Sequence, residues 1–233
     1  KTAYEIMPSL VGSEMCIRDR LIDIPISNCL HSGIDRIFVL TQYNSRSLNN
    51  HVMRTYQFGP VSKGRVEILA ASQSLDSEAW FQGTADAVRR CLPYIKEHNT
   101  THVLVLSGDQ LYSMNFQHLI RTHTKKDADL TVACKSVSPK EAPRYGIMRT
   151  DSQGRIVDFV EKPKTQQELE RVRSADGSFQ ASLGIYFFNR EVLDQVLREV
   201  RGVDFGRDVI PYAVKGQYRV YAHFFDGYWE DIG

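Results

Sequence analysis

The sequence predicts an α/β fold with a mixed, mainly parallel sheet flanked by helices, and three observations carry that prediction. His102-Val103-Leu104-Val105-Leu106 is an apolar run closed by Ser107-Gly108, the pattern of a strand buried on both faces. Helix-like and strand-like segments alternate from residue 20 to residue 135. An aspartate, Asp109, follows the apolar run, at the carboxyl end of a strand, where open α/β sheets bind their ligands.

The elements follow in order. Residues 1–19 show neither helical nor strand periodicity. From Arg20, the residues Leu21, Ile22, Ile24, Ile26, Cys29 and Leu30 predict a helix with Pro25 early in it, where a missing N–H costs little; Ser32-Gly33 stops it. A strand is expected over 34–40, a helix over 44–56 with Leu48, Val52 and Tyr56 on one face, and a strand over 66–70. Trp80-Phe81-Gln82-Gly83-Thr84-Ala85-Asp86-Ala87-Val88 runs into a helix continuing through Leu92 and Tyr94. Its start points backbone N–H groups and the positive end of the helix dipole at whatever lies in front, a phosphate or nucleotide; an ordinary cap by Thr84 explains the same residues.

Beyond the central run, a helix is expected over 115–126 and a strand over 130–135. The alternation then changes: strands over 145–150, 156–160 and 183–188, joined by turns such as Asp151-Ser152-Gln153-Gly154, predict antiparallel or mixed additions to the sheet. Lys164 to Ser178 reads as a polar surface excursion with a helix-like piece at 167–173. Helices at 191–200 and 205–214 and a strand at 220–225 complete the pattern.

Composition bounds the function. The chain has 233 residues, 42% hydrophobic and 24% charged, which suits one large α/β domain or two small ones. A formal net charge of +1 with mixed signs gives no basic stripe, so neither nucleic acid nor membrane is an expected partner; small anions remain. No apolar run approaches a membrane span and no signal-peptide pattern is present, so a cytoplasmic protein is expected. Cys16, Cys29, Cys91 and Cys134 lack close or metal-type spacing and read as free thiols, and the seven histidines lack ligand spacing too.

Three charged elements carry chemistry as a set: Asp109, Glu161-Lys162-Pro163 after a later strand, and Asp231 in Trp229-Glu230-Asp231-Ile232-Gly233. Two carboxylates from different strands suit Mg²⁺, which takes a few carboxylates plus phosphate oxygens, and a lysine beside them would neutralise a sugar phosphate. Taken singly, each has an ordinary explanation as a turn residue, a solvated pair or a cap.

These residues, with Arg20-Leu21-Ile22-Asp23-Ile24-Pro25, Ser27-Asn28-Cys29, Ser32-Gly33-Ile34, the 80–87 stretch, Gly108-Asp109, Val160-Glu161-Lys162-Pro163, Ala181-Ser182-Leu183-Gly184-Ile185-Tyr186 and Asp204-Phe205-Gly206, resemble the ADP-glucose pyrophosphorylase (glucose-1-phosphate adenylyltransferase) family in the family's order. The resemblance implies a Rossmann-like nucleotide-sugar transferase fold over 20–233 and adenylyl transfer from ATP to α-D-glucose 1-phosphate, giving ADP-glucose and pyrophosphate for glycogen or starch. It implies Mg²⁺ on Asp109 and Asp231, and sugar-phosphate contacts from Glu161 and Lys162. Ser182, Tyr186, Asp204, Phe205 and Trp229 would line the glucose pocket, Gly146 would approach substrate through its backbone, and Phe81, Gln82, Gly83 and Thr84 would form the nucleotide side. Asp109, Lys162 and Asp231 are the expected catalytic residues. The family further implies a homo- or hetero-tetrameric parent, in the cytoplasm or, in a plant, the plastid.

Departures from the pattern set further expectations. The family's opening strand and Gly-rich triphosphate loop have no counterpart in 1–19, which resembles translated adapter sequence and is read as a non-family segment; the family's C-terminal β-helix domain does not follow Gly233. Little or no activity is therefore expected of the chain itself. Phe81 stands where some members carry a nucleotide-contacting tyrosine, so no hydroxyl contact carries over. Two alternatives remain: another sugar-1-phosphate nucleotidylyltransferase, or a non-catalytic regulatory subunit of the same family.

Overall fold

The computed structural model describes residues 20–42, 45–58, 64–71, 80–174, 176–216 and 218–232, and the backbone of 3–8. Along the chain the elements are β1 (Ala3–Pro8), α1 (Asp23–His31), β2 (Arg36–Thr41), α2 (Arg46–Thr55), β3 (Arg65–Ala70), α3 (Thr84–Lys96), β4 (His102–Val105), β5 (Gln110–Tyr112) and α4 (Phe116–Lys125). Then come β6 (Leu130–Val137), a 3₁₀ turn (Ala142–Arg144), β7 (Gly146–Thr150), β8 (Ile156–Glu161), α5 (Gln166–Val172), β9 (Phe179–Asn189), α6 (Arg190–Glu199), a π-type turn (Phe205–Val209), α7 (Ile210–Lys215), β10 (Val220–Phe224) and β11 (Trp229–Asp231). The chain divides into two compact units, Lys1–Gln117 with Gly227–Gly233, and His118–Asp226. Among the described residues no helix is long and apolar enough to cross a membrane.

In the first unit four strands pair in the order β4-β1-β2-β3, every pair parallel. Ile37, Phe38, Val39 and Leu40 of β2 are buried without alternation, as are Val103 to Leu106, because helices cover parallel sheets on both faces. Helix α1 buries Pro25, Ile26 and Cys29, and α3 buries Ala85, Ala87, Val88, Cys91, Leu92 and Ile95, an i, i+3, i+4 stripe. Pro93 lies in the last turn of α3. The expected strands and helices of this unit are present; the expected start at residue 44 lies outside the described residues.

One expectation is corrected here. Residues 3–8, read as lacking strand periodicity, form β1, with Tyr4 opposite Arg36 on one side and Val103 on the other. Pairing of this kind uses backbone N–H and C=O groups, which any extended segment supplies, so a side-chain pattern need not announce it. The remainder of 1–19 lies outside the described residues. The apolar run expected as a strand is β4 in the parallel sheet, and β5, which was not foreseen, follows it and pairs antiparallel with β11.

The second unit is built around β9, antiparallel to β6 on one side and to β7 on the other, with β8 beside β7 and β10 parallel to β6. Mixed additions were expected, and β9 is longer than foreseen because Phe179 to Ser182 extend it at its start and Asn189 at its end. The 164–178 segment is less superficial than its polarity suggests. Thr165 and Glu168 form a capping box that starts α5, and Val172 is fully buried against Ala142, Ile147, Phe179 and Ala181. The helix expected over 205–214 begins instead as the π-type turn, which Asp204 caps by accepting from the Arg207 N–H at 2.8 Å.

Candidate active site

The residues singled out in the sequence fall into two sets, one in each unit. In the first unit the ribbon of β5 and β11 sets Gln110 opposite Asp231, Leu111 opposite Glu230 and Tyr112 opposite Trp229. The Ile232 N–H donates to the Asp109 carbonyl at 3.2 Å, and the Trp229 indole N–H donates to Gln110 Oε1 at 3.1 Å. The backbones carrying Asp109 and Asp231 are thereby held side by side. Both residues are half-buried, and the Ser107 hydroxyl donates to Asp109 Oδ1, fixing that carboxylate on the bend after β4.

What keeps the ribbon in place was not legible in the sequence. The Asn28 side chain donates to the Tyr112 carbonyl and accepts from the Met114 N–H, each at 3.1 Å, and the Ser32 hydroxyl accepts from the Phe116 N–H at 2.9 Å. Helix α1 thus clamps the chain leaving β5. The Ser27-Asn28-Cys29 and Ser32-Gly33 motifs were visible as strings, but their partners lie more than eighty residues away.

Metal binding by this acidic pair would be incomplete without substrate. Among the described residues there is no group of three or more His, Cys, Asp or Glu side chains able to hold an ion. Two carboxylates fit a hard divalent cation that takes its remaining ligands from phosphate oxygens and water, as Mg²⁺ does, and do not fit an all-protein cage.

At the start of α3 the N-cap is Gly83, in extended conformation, with Thr84 the first helical residue rather than the cap. Asp86 reaches back to accept from the Gln82 N–H at 3.0 Å and pairs with Arg90 at 3.1 Å, while the Gln82 amide donates to the Trp80 carbonyl at 2.9 Å. Phe81 is buried. One N–H before the helix is therefore satisfied by the protein, and the aromatic ring packs inward.

The second unit brings Gly146, Glu161, Lys162, Ser182, Tyr186, Asp204 and Phe205 together. Glu161 ends β8 opposite Gly146 of β7. Burial pushes its carboxyl above the usual range and the Asp204 charge adds to that, against the opposing charges of Lys162 and Arg207. Lys162 follows with φ of +48°, and its N–H donates to the Tyr145 carbonyl at 3.0 Å. A left-handed conformation costs a residue with a β-carbon about 1 kcal/mol, and such strain concentrates at binding sites. The lysine side chain is exposed there.

Ser182 and Tyr186 owe their placement to an irregularity. Between Ser182, opposite Cys134, and Tyr186, opposite Val132, β9 carries two more residues than β6, and Gly184 within this bulge adopts φ of +69°, which a glycine adopts without strain. The Ser182 and Tyr186 side chains are hydrogen-bonded. Burial raises the phenol far above its ordinary value, and the charges of Glu161 and Asp204 act in the same direction. The Tyr186 ring lies 5.5 Å from that of Phe205, tilted by 30°. This set offers a half-buried acid, a buried hydroxyl pair, an aromatic wall and an exposed cation: the elements needed to hold a polyhydroxylated anion.

A family model described as nucleotidyl transferase matches residues 5–233. The chain is 46% identical over 230 residues to the glucose-1-phosphate adenylyltransferase small subunit, chloroplastic/amyloplastic, of Triticum aestivum, covering 92% of this chain and 49% of that protein. It spans about half the length of the curated relative it matches.

Proposed function

The chain belongs to the nucleotidyl transferase family, and from that premise we propose that its parent protein transfers the adenylyl group of ATP to α-D-glucose 1-phosphate, releasing pyrophosphate and forming ADP-glucose for starch or glycogen synthesis. The observation that carries the reading is the second unit's cluster, in which the strained, exposed Lys162 stands beside the half-buried Glu161 and the Ser182–Tyr186 hydroxyls. The name of the wheat relative supports the choice of base and sugar over another sugar-1-phosphate nucleotidylyltransferase.

In this reading an oxygen of the sugar phosphate attacks the α-phosphorus in line, one P–O bond forms, and the bond to the departing pyrophosphate breaks, with positioning and charge stabilisation as the protein's task. Lys162 places a point charge on the attacking phosphate. Glu161, Ser182, Tyr186 and Asp204 orient the sugar through its hydroxyls, while Phe205 gives it an apolar wall. The segment Phe81, Gln82, Gly83 and Thr84 takes the nucleotide. Asp109 and Asp231 would hold Mg²⁺, which when bound offsets the repulsion between two phosphate anions.

Assembly and location follow the relative. Its designation as a small subunit supports a hetero-oligomeric parent, a tetramer in this proposal, and its chloroplastic or amyloplastic label supports a plastid if the source is a plant. A regulatory subunit that binds sugar nucleotide without turnover is the alternative that the test must exclude. The full-length protein, given ATP, glucose 1-phosphate and Mg²⁺, should release pyrophosphate and form ADP-glucose in equal amounts. Saturable sugar-phosphate binding without pyrophosphate release would replace the catalytic reading with the regulatory one.

A further inference from the structure

Gly206 follows Phe205 in the π-type turn and is buried, and no residue of the turn but Phe205 and Asp204 has a role in the reading above. Its backbone φ lies outside the left-handed region, where the positive-φ glycines are Gly33, Gly154, Gly177 and Gly184, so conformation does not explain why a glycine stands there. Space does. A β-carbon on Gly206 would lie 2.5 Å from Glu161 Oε2 and 2.9 Å from Glu161 Cδ, closer than atoms of this kind approach, and 3.5 Å from Asp204 Oδ1. A β-carbon on Gly146 would lie 2.5 Å from the same Glu161 oxygen. The carboxylate of Glu161 occupies a slot whose walls are the α-carbons of two glycines on separate elements, the start of β7 and the turn before α7.

The two walls differ. At Gly146 an added methyl would also meet Phe159, at 2.5 Å from Cζ, and Phe159 is a buried ring that cannot yield cheaply. At Gly206 the nearest atoms are the far end of the Glu161 side chain, which can swing. An alanine there should therefore leave the fold standing and move the carboxylate.

We propose that Gly206 is a positioning residue for sugar-phosphate recognition: by lacking a β-carbon it lets the turn close against Glu161 and fixes where that carboxylate meets a hydroxyl of the sugar. The substrate half of this statement rests on the function proposed above; the positioning half does not. Turn and strand converge on one oxygen, so a displacement of about 1 Å at a recognition group is the expected fault, and faults of that size cost up to about a hundredfold.

The test uses this chain, Gly206→Ala, Glu161→Asp and the double variant, with two readouts: the Glu161 carboxyl ¹³C signal followed through a pH titration, and calorimetric titration with glucose 1-phosphate. Gly206→Ala should shift the carboxyl signal and its midpoint and weaken sugar-phosphate binding about tenfold or more. Glu161→Asp, which withdraws the carboxylate by one methylene, should then cost less in the Gly206→Ala background than in the unmodified chain, the non-additivity expected of residues in contact. A folded Gly206→Ala chain with an unmoved carboxyl signal and unchanged affinity would overturn the proposal. If Gly206→Ala alone fails to fold, recovery of the fold in the double variant supports the slot, and failure of both overturns it. A moved carboxyl in a chain that never binds glucose 1-phosphate would keep the positioning role and sink the substrate assignment.

Discussion

In the first unit the two candidate metal-binding carboxylates are held by backbone pairing, with Asp109 on the bend that enters β5 and Asp231 on β11, in a short ribbon that Asn28 and Ser32 clamp from α1. In the second unit Glu161 is held by the absence of side chains, in a slot between Gly146 and Gly206, and Lys162 beside it is held in a strained conformation. The two arrangements suit different tasks. A pair meant to share a cation with substrate phosphates needs its two backbones in register, and a ladder supplies register at little cost. A pocket meant to recognise hydroxyls needs acceptors at fixed places in a poorly hydrated setting, which requires burial of polar groups and tolerance of their cost.

This contrast can be broken at several points, and the largest effect should come from the acidic ribbon. In the full-length protein Asp109→Asn should lower kcat on the order of 10²-fold or more while leaving the sugar-phosphate KM nearly unchanged, since on the proposed function it alters charge at the reacting phosphates. Steady-state kinetics at saturating Mg²⁺ decides it, and a surviving kcat would make Asp109 a structural bend residue. Next comes Lys162→Ala, which should raise the sugar-phosphate KM by about 2 kcal/mol, roughly thirtyfold, with little change in kcat, the figure set low because the ammonium is exposed. An unchanged KM would remove the lysine from the site.

Smaller effects separate the two ways of holding a charge. Asn28→Ala should cost about 1–2 kcal/mol of stability by denaturant titration, because the Tyr112 carbonyl and Met114 N–H lose their partner. Lys162→Asn should do the reverse, raising stability by about 0.5–1 kcal/mol as asparagine tolerates the left-handed conformation, and should weaken binding at the same time. Glu161 gives a pH signature. Its folded pKa is raised, so the native state binds more protons than the unfolded chain above the unfolded value of about 4.3, and stability falls as pH rises through that window toward the raised value. Glu161→Gln should flatten that fall and leave the variant the more stable one at neutral pH; an unaltered slope would show that burial imposes no penalty there.

Much of the first unit was readable from sequence because parallel strands buried on both faces leave unbroken apolar runs such as Val103 to Leu106, and amphipathic helices such as α3 leave a 3.6-residue stripe. The ribbon was not readable, since Gln110-Leu111-Tyr112 and Trp229-Glu230-Asp231 are three-residue strands with no pattern of their own and pair across more than a hundred positions. Strand β1 was missed for the related reason that sheet pairing is a backbone property. Individual site residues could be named from the order of motifs, yet the sequence could not say that Gly206 stands where it does because Glu161 is next to it. A glycine required by φ marks a turn; a glycine required by a distant neighbour marks nothing until that neighbour is placed.

The division of labour between the units is tested most directly by following backbone amide signals of the isotopically labelled chain while glucose 1-phosphate is added, first without and then with Mg²⁺ and ATP. The account predicts that the sugar phosphate alone moves Lys162, Ser182, Tyr186 and the 204–206 turn, and that Asp109 and Asp231 respond only when the metal is added. Sugar-phosphate shifts centred on Asp109 and Asp231 in the absence of metal, with Lys162 and the turn unmoved, would contradict it.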